Sequence, residues 1–167
     1  MFKNKFINNK ISIDQRGFFY KLFSKENLNT KNFNVIQSCL SFTKKKGTIR
    51  GLHYQKYPFY EKKIVTCIKG KIFDVCVDVR KTSKDYMKYK TFILDSKKKN
   101  SIIIEKGFAH GFQALEDNCL VFYNIDTKYK EKKQSVILWN DNRINIKWPL
   151  KPKYLSKKDM GFKKINT

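Results

Sequence analysis

The stretch KIFDVCVDVR, residues 71–80, decides the fold class of this chain. Apolar side chains occupy every second position in it, at Phe73, Val75, Val77 and Val79. The positions between them hold Asp74, Cys76 and Asp78. This two-residue period predicts a β-strand. The preceding run KKIVTCI (62–68) is also rich in β-branched residues, and KGK (69–71) supplies a glycine turn, so we predict a hairpin over 62–80.

Further short β-prone runs follow along the chain. They are FNVIQSCLSF (33–42), YKTFIL (89–94), SIIIE (101–105), CLVFYNI (119–125) and QSVILW (134–139). Their spacing, with turn residues between them, predicts an antiparallel sandwich or barrel, and an all-β double-stranded jelly roll fits best. Helix signals are weak, so we expect only short peripheral helices, one near KENL (25–28) and one near the C-terminus. A length of 167 residues suits one domain over residues 1–167.

The formal net charge of +23 raises the possibility of a basic β-barrel that binds nucleic acid. Such a barrel would carry arginines and aromatic residues interleaved along one face. Here the aromatic residues fit strand cores, and the 37 basic residues include only four arginines. We therefore expect the lysines to be mainly solvated, on a surface that favours a ligand with a diphosphate rather than nucleic acid.

The four cysteines do not form a CxxC pair. Cys67 and Cys76 sit among apolar residues, which indicates reduced thiols in the core. The first residues contain no long apolar stretch, and no run of about 18 apolar residues occurs anywhere in the chain. We predict a cytoplasmic protein without disulfides that does not enter a membrane.

The chain has two histidines, His53 in RGLHYQ (50–55) and His110 in GFAHGF (107–112). Histidine is the side chain best suited to proton transfer near neutral pH. The two are 57 residues apart (110 − 53), and no HxH or HExxH motif accompanies them, which argues against a metal site. Motifs for a nicotinamide, for ATP or for a serine nucleophile are also missing from the sequence. We expect no metal and no cofactor.

Six motifs in a fixed order carry a family resemblance. They are DQRGFF (14–19), RGLHYQ (50–55), KGKIFDVCVDVR (69–80), GFAHGF (107–112), VFYNIDTKY (121–129) and WND…IKWP (139–149). Over residues 10–160 the chain resembles dTDP-4-dehydrorhamnose 3,5-epimerase and its relatives. The resemblance implies a cupin-like jelly roll, usually homodimeric, that inverts C3, C5 or both of a nucleotide-linked 4-keto-6-deoxy sugar for surface-polysaccharide synthesis.

The chemistry of this reaction explains which residues it needs. A ketone at C4 acidifies the hydrogens on C3 and C5, because the resulting anion is delocalised onto oxygen as an enolate. Inversion then needs a base on one face, an acid on the other, and donors for the enolate oxygen. By resemblance, His53 is the base and Tyr123 the acid. Asp159, in YLSKKD (154–159), is the carboxylate partner of the base, and Lys63 stabilises the enolate.

The resemblance also assigns substrate-binding residues. They are Arg16, Phe19, Lys21, Gln37, Arg50, His110 and Tyr129. The arginines would hold the diphosphate, since a planar guanidinium suits bidentate phosphate contacts. Tyr129 would pack near the nucleotide, and His110, with Asp74, would line or support the pocket.

Two positions depart from the family pattern. Lys21 stands where the family has a glutamate, and Cys39 stands where it has an asparagine shortly after Gln37. Both positions belong to nucleotide recognition, so we hypothesise a nucleotide other than dTDP, such as GDP, on a hexose or heptose. A relative that binds sugar nucleotides without catalysis is a further alternative. It would be expected to lose the base or the acid, and both are present here.

Overall fold

The computed structural model describes residues 5–25 and 33–161. Their regular structure consists of β-strands and a single 3₁₀ turn, Glu131–Lys133. The strands are β1 (Lys5–Asn8), β2 (Ile11–Asp14), β3 (Gly17–Tyr20), β4 (Gln37–Thr43), β5 (Ile49–Gln55), β6 (Lys63–Lys69), β7 (Lys71–Asp78), β8 (Tyr89–Asp95), β9 (Asn100–Ile104), β10 (Phe108–Ala114), β11 (Cys119–Ile125) and β12 (Gln134–Val136).

The strands form two facing sheets and a separate hairpin. The first sheet has the order β1-β9-β6-β11-β4 and the second has the order β12-β5-β10-β7-β8, while β2 and β3 pair only with each other. Every strand pairing is antiparallel. The predicted all-β double-sheet jelly roll is confirmed.

The predicted hairpin over residues 62–80 is wrong. β6 pairs with β9 and β11 in the first sheet, whereas β7 pairs with β8 and β10 in the second. The chain therefore turns from one sheet to the other at Gly70, whose φ is 81°. A glycine turn is compatible with a hairpin and with a corner between two sheets. The corner forms here because it lets β6 and β7 bury the inner faces of both sheets against each other.

Both faces of β7 are buried, in two different clusters. Ile72 and Cys76 pack between the sheets, with side chains from β6, β8, β9, β10 and β11. Val75 and Val77 pack on the outer side, against a cluster that includes Ile137, Ile144 and Ile146. The alternation predicted for this strand is therefore present. The segment 137–148 covers the outer face of β7.

The buried cysteines agree with the prediction of core thiols. Cys67 and Cys76 are both fully buried. Burial raises the pKa of the Cys67 thiol to about 12, so this thiol stays protonated at neutral pH. Cys39, in contrast, is exposed on β4.

Helical structure is scarcer than predicted. The helical turn expected at 25–28 lies outside the described residues apart from Lys25. Residues 157–161 form turns rather than a helix. Across residues 5–25 and 33–161, no helix has the length and apolar character needed to span a membrane.

Candidate active site

Two neighbouring strands of the second sheet bring the histidines together. His53 on β5 lies directly opposite His110 on β10, and the pairing is irregular just beyond them. A Cβ on Gly51 would lie 2.6 Å from the His110 carbonyl oxygen and 2.8 Å from the Gly111 Cα. Because Gly51 also has a φ of 107°, a larger residue would force these strands apart. The glycines beside the histidines thus permit the close approach of the two motifs.

A carboxylate from the C-terminal segment forms a hydrogen bond with His53. His53 Nε2 lies 2.6 Å from Asp159 Oδ1. A parallel bridge between Thr48 and Tyr154 anchors this segment beside β5, and the Ile49 amide donates to the Tyr154 carbonyl at 3.0 Å. The predicted pairing of His53 with Asp159 is therefore present in the geometry, across 106 positions of the chain.

The ionisation of Asp159 determines which nitrogen of His53 is basic. Burial opposes ionisation, but hydrogen bonds from His53, from Ser156 and from the Gly51 amide outweigh it and hold the pKa of Asp159 below 3.8. An ionised carboxylate can only accept hydrogen bonds, so Nε2 of His53 carries a proton. Nδ1 then keeps the lone pair of the neutral imidazole, and it is the nitrogen able to take a proton.

The facing sheet contributes the predicted acid. Tyr123 lies on β11 of the first sheet, across the barrel from His53. Burial, together with the negative charge of Asp74, raises the pKa of Tyr123 far above its ordinary value of 10. The phenol therefore remains protonated until a strong base approaches it. The arrangement provides a proton acceptor on one sheet and a proton donor on the other.

The predicted lysine is paired with an acidic residue that sequence reasoning missed. Nζ of Lys63, on β6, lies 2.6 Å from Glu61 Oε1. The sequence offers only a faint signal for Glu61: it stands two residues before Lys63, on the same side of an extended chain, within the run EKK. In so lysine-rich a chain, such a pair does not stand out.

A second histidine–carboxylate pair lies next to the first, on the neighbouring strands β10 and β7. His110 Nε2 lies 2.7 Å from Asp74 Oδ2, and both side chains are almost wholly buried. The His110 ring packs edge-on against Tyr123, with ring centroids 6.1 Å apart. His110 therefore lines the cavity, and Asp74, which is not a lining residue, supports the His110 ring.

These groups surround one cavity of about 480 Å³. Its lining includes Cys39, Arg50, His53, Glu61, Lys63, His110, Tyr123, Tyr129 and Asp159. The Arg50 guanidinium donates to Thr43 Oγ1 and to the Phe42 carbonyl, and no carboxylate of the described residues forms an ion pair with it. Its positive charge is thus available to an anion. No cluster of three or more potential metal ligands occurs among the described residues.

Four predicted binding residues lie away from this cavity. Arg16, Phe19 and Lys21 belong to the β2–β3 hairpin or follow it, and the Arg16 side chain is 85% exposed. Phe19 is 67% exposed, although it is aromatic. Gln37 donates to the Thr127 carbonyl at 2.5 Å, which links β4 to the segment that follows β11. A single copy of the chain does not bring these four residues to the cavity.

Comparison with known proteins identifies the same family across almost the whole chain. The sequence model of the dTDP-4-dehydrorhamnose 3,5-epimerase family matches residues 3–167. The chain is 37% identical to the Shigella flexneri enzyme of that name over 159 residues, which are 93% of this chain and 87% of the relative. It is 35% identical to the Methanothermobacter thermautotrophicus enzyme over 95% of this chain and 88% of the relative.

Solved structures agree with this result. The Bacillus anthracis dTDP-4-dehydrorhamnose 3,5-epimerase, solved with TDP and PPi bound, superposes with a TM-score of 0.90 at 36% identity, covering 94% of this chain and 91% of the other. The Legionella pneumophila enzyme, in complex with dTDP-4-keto-L-rhamnose, gives a TM-score of 0.88 at 35% identity, covering 95% and 85%. The chain therefore belongs to the dTDP-4-dehydrorhamnose 3,5-epimerase family, and it is an isomerase that epimerises a nucleotide-linked sugar.

Proposed function

We propose that this enzyme inverts both C3 and C5 of a dTDP-linked 4-keto-6-deoxyhexose, with His53 as the base and Tyr123 as the acid. The observation that carries this proposal is the meeting of three groups at one cavity: the pair formed by His53 of the second sheet and Asp159 of the C-terminal segment, and Tyr123 and Lys63 of the first sheet. Relatives named for a dTDP-linked substrate, at 32–37% identity, support the thymidine nucleotide.

Each inversion begins with proton removal by His53. Nδ1 takes the proton from carbon, and the electron pair of the C–H bond moves onto the C4 oxygen as an enolate. Asp159 stabilises the imidazolium that forms. The ammonium of Lys63 donates to the enolate oxygen, where negative charge develops only as the proton leaves.

The second half of each inversion delivers a proton to the opposite face. Tyr123 donates its phenolic proton to the carbon, and the C4 ketone re-forms. The high pKa of this phenol makes the tyrosinate a strong base, so solvent protons restore it readily. The imidazolium of His53 returns its proton to solvent, and the enzyme is ready for the other carbon.

We further propose that the protein is a homodimer in which each copy lends its β2–β3 hairpin to the site of the other. Two features support this proposal. The hairpin exposes three large apolar side chains, Ile13, Phe18 and Phe19, which a monomer would leave in water. Arg16 belongs to the same hairpin, and its charge would add to that of Arg50 around a diphosphate.

The epimerase proposal is tested by hydrogen exchange in D2O. With a dTDP-4-keto-6-deoxyhexose, NMR should record deuterium entering both C3 and C5, and His53→Asn should abolish both signals. Deuterium at one carbon alone would refute double inversion.

Calorimetric titration with dTDP, GDP and UDP tests which nucleotide the enzyme prefers. Tightest binding of GDP would favour the expectation drawn from Lys21 and Cys39, and it would refute the thymidine assignment.

Subunit complementation tests the shared site. Arg16→Ala and His53→Asn should each inactivate the enzyme. Random re-association of an equal mixture restores one intact site in each heterodimer, so about a quarter of wild-type activity should return. A mixture that stays inactive, or a monomer in sedimentation experiments, would exclude the exchange of hairpins.

A further inference from the structure

Glu61 is a buried acidic side chain that the mechanism above leaves without a role. One carboxylate oxygen lies 2.6 Å from Nζ of Lys63, and each of the two side chains is only 10% exposed. Both residues line the cavity. A carboxylate buried to this degree is costly unless charged or polar partners satisfy it. The partners of Glu61 therefore indicate what it does.

Gln55 fixes the second oxygen of Glu61. It is the last residue of β5 and is almost wholly buried. Its Nε2 donates to Glu61 Oε2 and to the Lys128 carbonyl, both at 3.2 Å. Its Oε1 accepts the Lys130 amide at 2.6 Å. One oxygen of Glu61 is thus held by an amide that is itself bound to segment 128–130, and the other oxygen faces the ammonium.

This anchoring restricts a side chain that is otherwise mobile. A lysine ammonium sits on a flexible four-carbon stem and has three donors that can rotate. Catalysis of enolate formation needs that ammonium at one place, because charge stabilisation falls quickly with misplacement. A fixed carboxylate takes one N–H and leaves the other two for the ketone oxygen.

We infer that Glu61 is a positioning residue that holds the Lys63 ammonium against the developing enolate oxygen. This inference rests on the proposed function, since it presumes the role of Lys63. It has a consequence for the two inversions. Both deprotonations place charge on the same C4 oxygen, so a change at Glu61 slows them by the same factor.

The variant Glu61→Gln tests the inference, because it keeps the shape and removes the charge. We expect kcat to fall on the order of ten- to a hundredfold. KM should stay within about twofold, because the lost interaction strengthens only in the transition state. Deuterium incorporation at C3 and at C5 should fall by equal factors. A loss of packing alone would instead lower thermal stability and leave kcat unchanged in the folded fraction.

A double-mutant cycle separates action through Lys63 from other effects. In a Lys63→Met background, Glu61→Gln should cause no further loss of exchange. The matched control is Glu105→Gln, since Glu105 pairs with the neighbouring Lys62 at 3.0 Å and neither lines the cavity. The control should keep wild-type kcat.

The possible results distinguish this inference from the proposed function. Absence of exchange in the wild-type enzyme would refute the function itself. Normal exchange in the wild type with unchanged kcat in Glu61→Gln would overturn the inference alone, and so would a further loss in the Lys63→Met background. Should Glu61→Gln fail to fold, Glu61→Asp keeps the charge on a shorter arm. A smaller fall in kcat is expected there, and an unchanged kcat would also overturn the inference.

Discussion

Asp159→Asn is the sharpest test of the His53–Asp159 pair, because it removes the charge and hardly changes the shape. The carboxylate accepts from three donors, on His53, Ser156 and the Gly51 amide. An asparagine offers a single acceptor oxygen for them. A hydrogen bond to a charged group contributes about 1.5–3 kcal/mol. At about 1.36 kcal/mol per tenfold change in rate, kcat should fall roughly 10- to 150-fold.

The fall in kcat exceeds this range when the amide nitrogen faces the ring. That NH2 then donates to Nε2 of His53 and drives the imidazole proton to Nδ1, which blocks the base. The amide oxygen would stay with the Ser156 and Gly51 donors. A rotated amide of this kind slows proton removal from both carbons equally, since one nitrogen serves both.

The assay is deuterium incorporation at C3 and C5 by NMR, together with kcat for the complete reaction. Asp141→Asn is the matched control, because Asp141 pairs with Arg143 at 2.6 Å and neither residue lines the cavity. We expect this control to exchange at the wild-type rate. An Asp159→Asn enzyme that keeps wild-type exchange, while His53→Asn abolishes it, would show that Asp159 does not assist the base.

Gly51→Ala should lower the free energy of unfolding about 2 kcal/mol more than Gly17→Ala, because both glycines have positive φ but only at Gly51 would the new Cβ meet backbone, at 2.6 Å. Thermal melts of the two variants compare them. Iodoacetamide should label Cys39 first, since the other three thiols are buried, and dTDP should slow that labelling in mass spectra. Tyr123→Phe should reduce inversion more than deuterium exchange, because proton removal uses the other face. Hydrogen bonds within the turn outweigh burial and keep the pKa of Asp78 below 3.8 in the folded protein. The stability that this carboxylate adds is present above pH 3.8 and lost as pH falls through the folded pKa, so acid unfolding should be less steep in Asp78→Asn.

The strands were predictable where alternation or β-branched residues mark them, as over residues 63–69 and 71–78. β5 and β10 were not predicted as strands, because Gly51 and Gly111 interrupt their patterns. Gly51 and Gly111 allow the close pairing of the two strands, which is a tertiary requirement. The sequence also did not reveal which strands pair with each other. β6 and β7, which are joined at Gly70, lie in different sheets although their spacing predicts a hairpin.

The candidate site was predictable through motifs rather than through geometry. Family resemblance indicated His53, Asp159, Tyr123 and Lys63, and all four line one cavity. Nothing in the sequence could show that His53 and His110 are opposite each other on adjacent strands. Glu61 escaped notice because its significance depends on burial, and burial follows from the fold.

The pairing of His53 with a carboxylate 106 positions away has a consequence for how this protein is measured. Circular dichroism would report both sheets as soon as residues up to about 136 had folded. Proton abstraction, by contrast, needs the segment around Asp159 to have docked beside β5. Turnover is therefore a stricter gauge of complete folding than any spectroscopic signal of strand content. In a preparation that contains clipped or partly folded chains, the circular dichroism signal will overstate the fraction of active enzyme that turnover reports.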